Sequence, residues 1–106
     1  MSVTVSQYKN FVGGQSVDAV EGGTMEVLNP STGETIAEVP SGTAADVERA
    51  VEAARKAQPE WAEATPKERS EVLLKLADVI DDNAEELAQL ESLNVGKPLM
   101  ASRDEM

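Results

Sequence analysis

The residues with the most chemical potential cluster late in the chain. Six acids, Asp78, Asp81, Asp82, Glu85, Glu86 and Glu91, precede Lys97 with no base between them. Such a run can hold a cation or dock a basic partner, but it lacks the D-x-D-x-D-G spacing of a calcium loop. Asp78/Asp82 and Asp82/Glu86 are like-charge pairs four residues apart, which mildly destabilise a helix and mark a solvated face. Lys97 directly follows Gly96, where a lysine either complements a helix C-terminus or serves a function of its own; its position favours the first role. The paired glycines, Gly13-Gly14 and Gly22-Gly23, match neither G-x-G-x-x-G nor the phosphate-loop pattern and read as turns. Trp61 could stack on a ligand, although packing is the commoner use of a lone indole. No carboxylate is bracketed by apolar residues in the way a raised pKa requires.

The sequence has no Cys and no His. Thiolate nucleophiles, imidazole bases, disulfides and nearly all zinc sites are thereby excluded from these residues. Nine basic against twenty acidic residues give a net charge of −11, which disfavours nucleic acid and anionic membrane surfaces. The first ten residues, MSVTVSQYKN, show neither a basic region nor an apolar run, and no segment approaches the ~20 apolar residues of a membrane span. A cytoplasmic protein is the expectation.

The elements that must position these groups follow from period and punctuation. From Tyr8 to Pro40, short β-prone runs alternate with Gly, Pro and Asn clusters. In NPSTGE, Asn29-Pro30 initiates a turn and Gly33 supplies a positive φ, so MEVLN and ETIAEVP pair as adjacent strands or a hairpin. At Thr43 the period changes to that of a helix, with Val47, Ala50, Val51, Ala54 and Ala57 recurring on one face. Thr43 and Asp46 form a weak capping box, and Pro59 is expected to end this helix or confine it to its first part, leaving Trp61 at a turn. A second helix starts at Thr65, with Pro66 at its first position and Glu68 completing a capping box. It is expected to run unbroken to Gly96 and Pro98, roughly thirty residues or ~45 Å, with Leu73, Leu76, Ile80, Leu87 and Leu90 on one face. LMASRDEM then opens a further helix. At 106 residues the chain can form one modest core, assembled from aliphatic side chains because aromatics are only 3%.

With these residues placed, the chain resembles the N-terminal segment of the NAD(P)-dependent aldehyde dehydrogenases. Four pieces carry the resemblance in order: FVGG at Phe11–Gly14, EVLNPSTGETIAEVP at Glu26–Pro40, AADVERAVEAARKAQPEWA at Ala44–Ala62, and TPKERSEVLLKLADVI through LAQLESLNVGKPL. LLKLADVI with ESLNVGKP is most similar to the aminobutyraldehyde branch, near the betaine-aldehyde enzymes. Asn94-Val95 departs from the acid or Asp-Thr commoner before Gly-Lys. The resemblance implies an α/β fold in which residues 1–42 supply short strands and 43–106 two long helices of a nucleotide-binding domain. It also implies oxidation of a small aldehyde to its acid through a cysteine thiohemiacetal, hydride transfer to NAD or NADP, and hydrolysis by a glutamate-activated water. The family's cysteine, glutamate, oxyanion asparagine and nucleotide-binding helix start all lie beyond the matched segment, so no catalytic or cofactor residue is carried over. What the resemblance does place here is a monovalent cation, K⁺ or Na⁺, on the main-chain oxygens of Val27, Leu28 and Asn94.

Two readings result. In the first, the chain is the N-terminal part of such an enzyme, inactive alone, whose partners are the remainder of the dehydrogenase or like subunits; its ending marks a truncated product or gene remnant. In the second, it is an independent acidic helical module that binds a protein through the Leu73/Leu76/Ile80/Leu87 stripe.

Overall fold

The computed structural model describes residues 4–106. Among the described residues five strands, β1 (Ser6–Gln7), β2 (Asn10–Val12), β3 (Gln15–Val17), β4 (Thr24–Leu28) and β5 (Thr35–Pro40), precede four helices. These are α1 (Ala44–Glu63), α2 (Pro66–Asp82), α3 (Ala84–Val95) and α4 (Leu99–Asp104). The chain divides into two compact units, residues 1–28 with 34–62 and residues 29–33 with 63–106.

In the first unit β5 is the central strand of a three-stranded sheet, parallel to β1 and antiparallel to β4. Its β-branched and alanine content suits that place, and Ile36 and Ala37 are buried together with Ala19. Pairing steps from Val27↔Ala37 to Leu28↔Thr35, so the ladder is irregular at Val27/Leu28. β2 and β3 form a separate hairpin whose turn is Gly13-Gly14, both with positive φ. The pairing expected of MEVLN and ETIAEVP is present. In α1, Asp46 accepts from the Thr43 amide at 2.8 Å, the returning half of a capping box.

Pro59 does not end α1. The helix continues through it to Glu63, and Trp61 therefore sits in the last helical turn rather than at a turn between helices. Proline removes one helical hydrogen bond and crowds the carbonyl four residues back, but an exposed helix can absorb that cost where both flanks favour helix.

In the second unit the capping box at Thr65 is complete. Thr65 Oγ1 accepts from the Glu68 amide at 3.2 Å, and Glu68 Oε2 accepts from the Thr65 amide at 2.9 Å. The single helix expected from Thr65 to Pro98 is instead two, parted at Asn83 (φ −112°, ψ 13°). Asn83 Nδ2 donates to the Val79 carbonyl at 2.7 Å, so this side chain competes for the backbone acceptor that helix propagation uses. The like-charge pairs Asp78/Asp82 and Asp82/Glu86 straddle the same place and weaken it further. α3 ends on Gly96 in the left-handed region, φ +75°, as the sequence suggests. α4 packs back on α3 and buries Ala88 and Ser102.

Candidate functional site

Two of the groups singled out by sequence, Glu91 and Lys97, meet at the α3–α4 turn of the second unit. Lys97 Nζ donates to Glu105 and lies 3.5 Å from Glu91 Oε1. The Glu105 hydrogen bond, aided by both carboxylates, raises the Lys97 pKa above its ordinary value. Ser92 Oγ donates to the Lys97 carbonyl at 2.6 Å, and the Gly96 amide donates to the Ser92 carbonyl at 3.0 Å. Lys97 is thus the cation of a helix-to-helix clamp, and its ammonium is committed to protein carboxylates. A second clamp joins the same helices: the Arg103 guanidinium meets Glu85 bidentately, at 2.9 Å and 2.6 Å. Those bonds, with one from Gln89, hold the Glu85 carboxyl down at about 2. Of the acidic run, Glu85 and Glu91 are therefore used in ion pairs. Among the described residues no group of three or more His, Cys, Asp or Glu side chains could hold a metal ion.

A phosphate-bearing cofactor would need a free helix N-terminus or a glycine cradle. Neither is offered. The N-terminus of α1 is filled by Asp46, whose other oxygen accepts from the Val20 amide at 2.8 Å; the Thr43 and Val20 amides lower its pKa. That of α2 is filled by Thr65 and Glu68, and Glu85 and Glu86 occupy the first turn of α3. The sequence holds neither G-x-G-x-x-G nor the phosphate-loop pattern. A hollow of about 260 Å³ in the first unit is lined by Tyr8, Lys9, Asp18, Thr24 and Glu38. Its polar groups pair with each other, Lys9 with Asp18 at 3.5 Å and Thr24 with Glu38 at 2.5 Å.

Of the three residues expected at a monovalent cation, Val27 and Leu28 close β4 in the first unit, at the irregular step of its ladder. Asn94, exposed in the last turn of α3, belongs to the second unit. Carbonyls of a last helical turn lack intrahelical donors and are available to other ligands. The turn directly after Leu28 is tightly made: Gly33 and Thr32 amides donate to the Asn29 carbonyl, and Asn29 Oδ1 accepts from the Ser31 amide at 2.9 Å. Pro30 of this turn packs under Gly96, where an added Cβ would meet Pro30 Cγ at 3.1 Å. Sequence reasoning missed the Glu85–Arg103 clamp, because partners 18 residues apart give no local signal.

Comparison with known proteins agrees with this architecture. Residues 17–106 match the aldehyde dehydrogenase family. Over 90 residues the chain is 42% identical to betaine aldehyde dehydrogenase of Rhizobium etli, covering 85% of this chain and 18% of that protein. The fold matches an NAD-dependent aldehyde dehydrogenase from Sinorhizobium meliloti with a TM-score of 0.91 and 43% identity, over 96% of this chain and 21% of that one. An aldehyde dehydrogenase from Bacillus cereus, solved as its NAD⁺ complex, matches with a TM-score of 0.90 and 42% identity, over 94% and 21%. The fold is that of an aldehyde dehydrogenase N-terminal segment. The chain belongs to the aldehyde dehydrogenase family. It spans about one-fifth of the length of the relatives it matches.

Proposed function

We propose that the chain is the N-terminal scaffold of an NAD(P)-dependent aldehyde dehydrogenase that oxidises a small amino-aldehyde to its carboxylic acid. The observation that carries this reading is the family match over residues 17–106. The betaine-aldehyde relative at 42% identity supports the substrate class, and the aminobutyraldehyde branch is the expectation from ESLNVGKP. The nicotinamide accepts hydride in such an enzyme; these 106 residues supply neither its phosphate site nor, lacking Cys and His, a thiolate or imidazole. Their part is structural. Filled N-termini of α1 and α2, a clamped α3–α4 pair and a tight Asn29–Gly33 turn make a frame for residues found elsewhere. Its partners in this reading are the rest of the dehydrogenase, or like subunits, and the compartment is the cytoplasm. No helix among the described residues is long and apolar enough to cross a membrane. A K⁺ or Na⁺ ion at the Val27, Leu28 and Asn94 carbonyls rests on the resemblance alone.

Activity of a covalent chimera tests the reading. Residues 1–106 replace the matching segment of the Rhizobium etli relative, and NADH formation is followed at 340 nm with betaine aldehyde. The chimera is expected to turn over within about tenfold of the parent, whereas the 106 residues alone form no NADH. An inactive, soluble chimera, or turnover by the isolated chain, would sink the reading.

A further inference from the structure

One face of the sheet in the first unit gathers negative charge that the fold leaves without a counter-ion. Glu26 of β4 stands directly opposite Glu38 of β5 in the antiparallel register. Like charges directly opposite each other destabilise a strand pair, because the two side chains rise from the same face about 5 Å apart. Among the described residues neither carboxylate is paired with a cation. Gln7 is in register with Glu38, and Thr24 lies two residues before Glu26, so all four side chains share that face.

The hollow of about 260 Å³ lies over this face. Gln7, Thr24 and Glu38 line it together with Tyr8, Lys9 and Asp18, so two of its three charges are negative. Lys9 shows what the hollow accepts: its ammonium stands 3.5 Å from Asp18 Oδ1, with both side chains more than half exposed. A pair so exposed is weak and exchanges readily. Glu38 Oε1 accepts from Thr24 Oγ1 at 2.5 Å. An ionised carboxylate offers about four acceptor positions, so both acids keep capacity for further N–H donors. Tyr8, 48% exposed, adds an aromatic ring, whose negative face attracts cations.

We propose that this hollow is a binding site for a small organic cation, a primary ammonium on a short alkyl chain. The ammonium donates to Glu38 and Asp18 and relieves the Glu26–Glu38 repulsion, while the alkyl part rests against Tyr8. A metal ion is a poor occupant. Among the described residues no group of three His, Cys, Asp or Glu side chains could hold one, and the hollow is several times the ~30 Å³ share of a single water. An anion would meet the two carboxylates and a chain of charge −11, which concentrates cations instead. The inference does not rest on the functional reading above.

The test titrates the isotope-labelled 106-residue chain with n-butylammonium chloride at constant ionic strength, followed by amide NMR. Saturable shifts at Tyr8, Gly23, Thr24 and Glu38 are expected, with a millimolar Kd. Glu38→Gln and Asp18→Asn should each weaken binding about threefold or more, the scale of an exposed ion pair. Lys9→Met, which removes the tethered competitor, should tighten it by a similar factor. Asp81→Asn, in the second unit, should leave it unchanged. Tetramethylammonium has the same charge but no N–H donor and should bind about threefold more weakly or worse. The dispersion of each spectrum checks that the variant is folded; Asp18 is exposed, so its variant keeps the test open should Glu38→Gln not fold. Shifts that fail to saturate, an equal response to sodium chloride or to tetramethylammonium, or unchanged affinity in Asp18→Asn would each overturn the proposal.

Discussion

Gly96→Ala is the sharpest single probe of the second unit. Gly96 has φ +75°, a conformation that costs an alanine about 1–2 kcal/mol because its Cβ crowds the following carbonyl. Here the new Cβ also meets Pro30 Cγ at 3.1 Å, inside the 3.5–4.0 Å optimum for carbon contacts. Overpacking costs about 1–3 kcal/mol, and the lower end applies because Pro30 is exposed and can shift by a few tenths of an ångström. The total is about 2–3 kcal/mol. Gly33→Ala is the matched control: its φ is +77° with nothing within 4 Å of the added Cβ, so it should cost only the backbone share, about 1–2 kcal/mol. The assay is native-state hydrogen exchange of the α3 and α4 amides, which reports the opening free energy of that pair. Pro30→Ala should restore about 1 kcal/mol to Gly96→Ala and nothing comparable to Gly33→Ala, a coupling that a double-mutant cycle isolates. Equal costs at both glycines, with no rescue through Pro30, would refute the contact.

Further outcomes follow from other elements. Thr65→Ala removes the side-chain half of the α2 capping box and should raise the opening rate of the first turn, at a cost of about 1 kcal/mol; Glu68→Ala added to it should cost less than its own separate effect. Asn83→Ala removes the side-chain donor that shares the Val79 carbonyl with the residue-83 amide and gains about 0.6 kcal/mol of helix propensity, so backbone chemical shifts should become continuously helical from α2 into α3. Pro59→Ala should restore the missing bond inside α1 and stabilise it by up to about 3 kcal/mol, read as slower exchange in its last two turns. Glu85 is held at about 2 by Arg103, below the ordinary glutamate value of about 4.3. Because its folded value is depressed, the unfolded chain binds the proton first. The stabilisation is complete above about 4.3 and is lost as pH falls through about 2. Arg103→Gln should flatten that slope and return the Glu85 titration, followed by carboxyl carbon NMR, toward the ordinary range; an unshifted Glu85 in the parent protein would contradict the clamp.

What the sequence made legible was local. The Thr65–Glu68 capping box, the Asn29–Gly33 turn and the Gly96 cap each depend on side chain–backbone geometry within a few residues. Such geometry is nearly independent of the remaining fold. Pro59 and Asn83 misled for opposite reasons. Proline's penalty is fixed but finite, and a helix with good formers on both sides outlasts it. The penalty at Asn83 is small by propensity, and it is joined by Nδ2 sharing the Val79 carbonyl with the Asn83 amide while like charges crowd either side. The Lys97 and Glu85 clamps were illegible because their partners come from another helix, and composition cannot distinguish a paired carboxylate from a solvated one.

That last point changes the meaning of the acidic composition. A charge of −11 on 106 residues first reads as a surface seeking a cation or a basic partner. The structure instead places carboxylates at the N-termini of α1, α2 and α3, where the helix dipole favours them. Others lock α4 to α3. Carboxylates thus occupy the N-termini of α1 and α2, while α2 leaves its aliphatic residues exposed. A segment organised in this way is prepared to join an apolar core and to leave phosphate binding to helices with unfilled N-termini. If that division of labour is right, Asp46→Asn and Glu68→Gln should loosen their caps without creating nucleotide binding. Cap removal alone supplies no glycine cradle, and a saturable calorimetric signal with millimolar NAD⁺ from either variant would show that the carboxylates were the only barrier.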